Sequence, residues 1–322
     1  MTALSGAVFL LSVATRIRAS RRWGTNVDVD AICERLLASP GVVFLVGGID
    51  SGKTTLAMEL ARRAEGAGIS PAIVDADIGQ STIGPPTTVG LKLCAGMQEI
   101  GIDALREADA LAFVGSLSPR GHLLPLAVGA GELTSRARAA GCRLIIVDST
   151  GLVSGIAGQL LKFYKMHLVR PDYVIAMKRG GELDPIIGIA QRFTPAQVFE
   201  MPVPPQAVAR SADERASLRE RQFAAYFERG SSRWRVKPTV FMPTLPPGFD
   251  LARLEGLVVG MEDGEGSCLG IGILDYERSE DALRMTSPVS EGVRGLRLGS
   301  VRIDAQGRSR GSISLRNLFG SE

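Results

Sequence analysis

The chain has 322 residues, 45% of them apolar and 22% charged, which supports one large domain plus a smaller one and excludes a low-complexity or disordered chain. Its net charge of +3 is a mild basicity that by itself names no nucleic-acid partner. Cys33, Cys94, Cys142 and Cys268 lie far apart with no C-x-x-C pair, so neither a zinc site nor a disulfide framework is indicated. Free thiols in a reducing, cytoplasmic setting are the expectation.

In chain order, the first feature is "ALSGAVFLLSVA" (3–14), followed by "RIRASRR". A secretory signal places its positive charge before the apolar run, and a membrane span takes about 20 apolar residues. Residues 1–40 are therefore read as an extension: a frayed tail, a misassigned start or a first strand. No membrane-spanning segment is expected.

"GVVFLVGG" (41–48) predicts a buried strand, and "TTLAMELARRAEGAG" (54–68) a helix with Leu56, Leu60, Ala61 and Ala64 on one face. Further strands are predicted at 71–77, 111–116, 143–149, 172–177 and 196–202, with helical patterns between most of them. This alternation predicts an α/β fold with a mostly parallel sheet covered on both faces. Ligands in such sheets gather at the carboxyl ends of the strands, where Asp75, Asp77, Ser116 and Asp148 fall. "PVPPQAVARS" (202–211) breaks the pattern and a charged helix follows at 213–227. From about 235 short strands and Gly-rich turns predict a small antiparallel β domain (235–322), with Asp263-Gly264 in a hairpin turn.

"GGIDSGKT" (47–54) fits G-x-x-x-x-G-K-[ST] between a strand and a helix. The backbone of Gly47, Gly48, Ile49, Asp50, Ser51 and Gly52 would curl around phosphate oxygens, and the helix N-terminus adds partial positive charge. Lys53 would reach the β- and γ-phosphates, Thr54 would ligate Mg²⁺, and Thr55 follows in the same turn. A guanine-reading N/T-K-x-D motif is not met after the strand at 172–177, where Lys178-Arg179-Gly180-Gly181 stand.

Asp148 ends "RLIIVD" in the usual form of a metal-ligating strand end. "AIVDAD" offers two more acids, Asp75 and Asp77. Either Asp75 or Asp148 can serve as the main metal acid, and a spare carboxylate can accept a proton from an attacking hydroxyl. Asp77 acting only as a turn cap is the plainer alternative.

"GGIDSGKTTLA", "DADIGQSTIGPPTTVGL", "DSTGLVSG" and "RSADERASLRERQFAAYF" occur in that order. Together they resemble the polynucleotide 5′-hydroxyl kinases of RNA processing, the family of the pre-mRNA cleavage complex kinase subunit and the ribosomal-RNA processing kinase. The resemblance runs from about 41 to 230 and implies a P-loop kinase domain with a lid helix at 210–228. It also implies ATP or GTP with Mg²⁺, and the 5′-hydroxyl end of RNA or DNA as acceptor. Asp75 would be the general base or orient the acceptor, and Gln80, from the complete D-x-D-x-G-Q motif, would order metal-bound water or the acceptor. Arg215 and Arg219 would form the R-x-x-x-R lid. On a helix these two face the same way with no acid three or four residues off, a local repulsion that phosphate would offset.

The clasp of the family reads Ser149-Thr150-Gly151-Leu152 here. Leucine stands where the family has tryptophan, so stacking worth roughly 1–3 kcal/mol per base is not supplied by this residue. Arg120, His122 and His167 are read as loop or surface residues. An NTPase coupled to a partner, and an assembly factor binding nucleotide without turnover, are the competing functions; protein partners are not read from the sequence.

Overall fold

The computed structural model describes residues 29–320; the apolar run at 3–14 lies outside the described residues. Five strands form a parallel sheet in the order β2 (Pro71–Ala76), β5 (Leu144–Ser149), β1 (Val42–Gly47), β6 (Tyr173–Lys178), β7 (Gln197–Pro202). Alternation along each strand divides the core. Val42, Phe44 and Val46 of β1 face one apolar cluster, while Val43 and Leu45 face the other. Helices α1 (Val29–Ala38) and α2 (Lys53–Gly66) cover the second cluster. Among the described residues no helix is long and apolar enough to cross a membrane.

The mostly parallel sheet expected from the sequence is this five-stranded unit. Beyond it the sheet is mixed, and one strand was not foreseen. β3 (Thr88–Leu93) returns antiparallel to β2, and β4 (Ala110–Phe113) is antiparallel to β3. The loop after β2 turns back on itself instead of forming a crossover helix. Two reversals leave the carboxyl end of β4 on the same side as that of β2, after the short helix α3 (Ile102–Leu105). Two longer helices, α4 (Leu123–Ala139) and α5 (Gly155–Val169), then pack side by side over the first cluster. α6 (Asp184–Phe193) follows on the same face.

The predicted lid helix is α7 (Ala212–Phe227). It starts in a capping box: Ser211 Oγ accepts the Glu214 N–H and the Glu214 carboxylate accepts the Ser211 N–H. Strands β8 (Ser232–Val236), β9 (Phe241–Met242), β10 (Leu257–Glu262), β11 (Cys268–Glu277), β12 (Ala282–Ser287), β13 (Gly295–Ile303) and β14 (Ser309–Ser312) follow, then α8 (Leu315–Phe319). The β10–β11 hairpin closes where Asp263-Gly264 was expected to turn. Asp263 donates its N–H to Ser267 O, and Gly264 has φ +81°. These strands extend the main sheet through one paired position, Cys268 opposite Leu111 of β4. Phe223 and Phe227 of α7 are buried with Phe113, Val258, Ile271 and Val301, so the lid helix packs on the C-terminal strands.

Candidate active site

The P-loop spans β1 and the start of α2. Gly52 caps α2 at φ +86°, a left-handed conformation that costs a glycine little. Lys53, the first residue of α2, is 6% exposed and donates to Gly48 O (2.7 Å) and Ser51 Oγ (3.3 Å). Its ammonium is thereby curled back over the loop it serves. Thr54 Oγ1 donates to Asp148 Oδ2 at 2.5 Å. The other oxygen of Asp148 is buried with no hydrogen-bond partner, an orphan that calls for a cation or a cation's water. Thr54 and Asp148 are thus the pair able to hold a divalent cation. Among the described residues no group of three or more His, Cys, Asp or Glu forms a metal cage, and Mg²⁺ held with phosphates and water needs none.

Asp75 lies opposite Asp148 in the β2–β5 register and is 2% exposed. Its Oδ1 accepts the N–H of Asp77 (3.0 Å), and its Oδ2 accepts those of Thr82 (2.5 Å) and Ile83 (3.1 Å). Both oxygens therefore hold the acid loop in shape. Burial, then the Asp148 carboxylate, push the Asp75 carboxyl well above the usual range, against the pull of those N–H groups. Asp148 is raised too, first by burial, with Lys53 and Thr54 opposing. Asp77 is different. It is half-buried, and only its Oδ1 is engaged, by the Gly79 N–H at 3.2 Å.

Beneath these acids lie two lysines that sequence reading missed. Lys162 and Lys165 of α5 are both 0% exposed. Lys162 Nζ donates to Ser149 Oγ (2.8 Å) and Thr150 O (2.5 Å), and Ser149 Oγ donates on to Leu45 O (2.6 Å). Lys165 Nζ donates to Ala76 O (3.1 Å), the carbonyl between Asp75 and Asp77. Burial pushes Lys165 down to about 8, with Asp77, Asp75 and Asp148 opposing. Lys162 is pushed down by burial and then by Lys165 and Lys53.

The clasp residues sit deeper than a substrate grip requires. Ser149 and Thr150 are buried, with the Ser149 hydroxyl turned inward. Leu152 is half-buried against the first core cluster. Gly151 lies directly against the P-loop: a Cβ there would be 2.7 Å from Ile49 N.

The lid arrives from above. Arg210 donates its N–H to Asp50 Oδ2 (3.0 Å) and its guanidinium to Gln80 Oε1 (3.1 Å). Arg215 pairs with Asp50 Oδ2 at 3.4 Å. Gln222 Nε2 donates to Ser81 O (2.5 Å). Arg219 is half-buried; burial and then Arg215 push its guanidinium down, and Glu220 offsets this only in part. Arg179, where a guanine motif would have stood, donates to Asp50 O (2.9 Å) and Ile49 O (3.5 Å). Thr55 and Ile49 are exposed at the rim, and His167 is exposed on α5. Ser116 is buried and donates to Ser118 O. The structure thus gathers the P-loop, Asp75, Asp77, Gln80, Asp148 and Arg215 in one place, while Arg219 lies one turn further along α7 with no hydrogen bond to the cradle among the described residues. Lys162, Lys165, Arg179 and Arg210 join them unforeseen.

The strand–loop–helix cradle at the carboxyl edge of a parallel sheet, facing paired acids, defines a P-loop nucleotide-binding protein. A family model described as the mRNA cleavage and polyadenylation factor CLP1 P-loop matches residues 47–229, and the chain belongs to that family. It is 28% identical to a protein of Thermococcus kodakarensis named polyribonucleotide 5′-hydroxyl-kinase, over 84% of this chain and 91% of the relative. A protein of the same name from Pyrococcus furiosus is also 28% identical, over 91% and 97%. The solved Clp1p of the Clp1p–Pcf11p complex shares the fold with a TM-score of 0.66 at 13% identity, over 84% of this chain and 77% of that one.

Proposed function

We propose that the protein is a polynucleotide 5′-hydroxyl kinase. It moves the γ-phosphoryl group of ATP or GTP to the 5′-hydroxyl of RNA or DNA by in-line transfer, with Mg²⁺. The names of its relatives support the reaction class. The observation that carries the reading at the site is a third carboxylate. Asp148 pairs with Thr54 as the metal acid, and Asp75 is committed to three backbone N–H groups. Asp77 is left over, half-buried, beside Gln80.

In this reading Lys53 meets the β- and γ-phosphates and the cradle amides hold them. Thr54 and Asp148 hold Mg²⁺, which when bound neutralises charge on the phosphate oxygens. Asp77, rather than the saturated Asp75, accepts the proton of the acceptor hydroxyl, within reach of Gln80. Arg219 and Arg215 meet the transferring phosphoryl group, where an arginine can contribute roughly a thousandfold or more in rate. Lys162 and Lys165 hold the backbone carbonyls at both strand ends behind the acids.

The test is transfer of label from γ-³²P-ATP to 5′-hydroxyl oligonucleotides of RNA and DNA, with Mg²⁺. Labelled oligonucleotide is the expected product, and Lys53→Ala is expected to abolish it. Release of free phosphate alone, across both polymers and several lengths, would replace the kinase with an NTPase that couples hydrolysis to a partner.

A further inference from the structure

Asp50 is an acidic residue inside the phosphate cradle. It places a carboxylate in a loop whose amides and lysine gather anions, so its charge opposes the ligand. Its backbone is at φ +52°, a conformation uncommon outside glycine. Arg179 holds the Asp50 carbonyl at 2.9 Å, which fixes the residue from the side of β6. The side chain is only 9% exposed, and its Oδ2 takes two groups from the lid: the Arg210 N–H at 3.0 Å and the Arg215 guanidinium at 3.4 Å. The partners are 160 and 165 residues away in sequence. Arg215 also donates to Arg210 O (2.5 Å), so hinge and helix are locked to the carboxylate together.

We propose that Asp50 is a latch: it occupies Arg215 and the Arg210 hinge as a substitute anion, and nucleotide phosphate must displace it to recruit Arg215. Asp50 is then a positioning residue that lowers nucleotide affinity while holding the lid in register over the cradle. The same charge that opposes the ligand keeps the lid arginine within a few ångströms of where phosphate arrives. The inference rests on the reading of Arg215 as a phosphate-contacting lid residue.

The discriminating variant is Asp50→Asn. Asparagine tolerates the left-handed backbone and still accepts the Arg210 N–H, so it removes the charge and leaves the loop. Binding of ATP with Mg²⁺, read by calorimetry, is expected to tighten about two- to five-fold, the range an ion pair of this exposure supports. A residue of merely structural duty would weaken binding instead. Hydrogen exchange of lid residues 210–222 is expected to speed up in nucleotide-free Asp50→Asn, and by at least as much in Arg215→Gln, which also loses the bond to Arg210 O. The double variant is expected to be no faster than Arg215→Gln alone, because the ion pair is already gone in that single variant. Unchanged or weaker ATP binding by Asp50→Asn, or additive exchange in the double variant, overturns the latch. Should Asp50→Asn fail to fold, Asp50→Gly, which also suits the positive φ, decides alone: tighter ATP binding supports the latch, and unchanged or weaker binding overturns it. These readouts need only protein and nucleotide. A failure of transfer to a 5′-hydroxyl would remove the kinase reading and leave them standing.

Discussion

Exchanging each acid of the D-x-D pair for its amide separates scaffold from chemistry. In Asp75→Asn the amide oxygen can accept, but the amide nitrogen then faces N–H donors. At least one of the Asp77, Thr82 and Ile83 amides loses its acceptor. A buried N–H left unsatisfied costs about 1–3 kcal/mol. Relief of the repulsion between the Asp75 and Asp148 carboxylates returns part of that. The net expectation is a loss of about 1–2 kcal/mol, a fall in Tm of roughly 2–8 °C at about 2–4 °C per kcal/mol. Transfer falls as well, because residues 77–83 shift. In Asp77→Asn one bond to the Gly79 N–H is at stake, and the amide oxygen can still accept it. Tm is expected to stay within about 1–2 °C, an effect below roughly 0.5 kcal/mol. The transfer rate is expected to fall about 10²–10⁴-fold at unchanged nucleotide affinity, the usual worth of a general base. Thermal unfolding followed by circular dichroism, beside label transfer under single-turnover conditions, reads both effects. An Asp77→Asn enzyme with full rate, or an Asp75→Asn protein with unchanged Tm and a rate loss larger than that of Asp77→Asn, would refute the division of labour.

Two further expectations follow from the same geometry. Gly151→Ala places a methyl group 2.7 Å from Ile49 N and must displace the P-loop backbone. Overpacking of this kind costs about 1–3 kcal/mol, so nucleotide affinity measured by calorimetry is expected to fall about tenfold, and wild-type affinity would contradict the contact. Lys165 is pushed down from 10.5 to about 8, so between those values the unfolded chain binds the extra proton and stability rises with pH. Below about 8 the cost of burying the charge is fully present. Denaturant titrations at pH 7.5 and 10 are expected to show wild type gaining stability over Lys165→Met as pH rises. Wild-type stability that stays constant or falls relative to Lys165→Met across that range would show that Lys165 is not strained by burial.

What the sequence made legible were features written into local pattern. β1, the P-loop and α2 form one continuous segment, and the strand ends at Asp75 and Asp148 are marked by apolar runs that stop in acid. The lid helix was legible as the charged run that follows "PVPPQAVARS", while its capping box at Ser211 and Glu214 shows only in the structure. β3 escaped because its partner β2 is reached by a backward loop whose closure depends on Asp75 accepting amides seven and eight residues on. The lysines escaped for another reason. On α5 the inward positions are Gly158, Leu161, Lys162, Lys165, Met166 and Val169, while Ile156, Leu160 and Tyr164 face outward. A reading that sends apolar residues inward would turn that helix around. The one available signal was scarcity: the chain has six lysines, and three of them converge on the site. The contacts of Asp50 with the lid, spanning 160 residues and more, leave no trace in local pattern at all.

The anchoring of α7 has a mechanical consequence. Its 16 residues make a rod about 24 Å long. Phe223 and Phe227 clamp one end into the C-terminal strands, and Arg215 reaches the P-loop near the other. A beam fixed at one end does not flap freely; with its mount held, displacement is largest at the far end, where Arg210 and Arg215 contact Asp50. The freedom to admit nucleotide is then concentrated in the segment at 202–211 and the first turns of the helix. Because α7 is mounted on the C-terminal strands, a change in their packing would move the helix that carries Arg215.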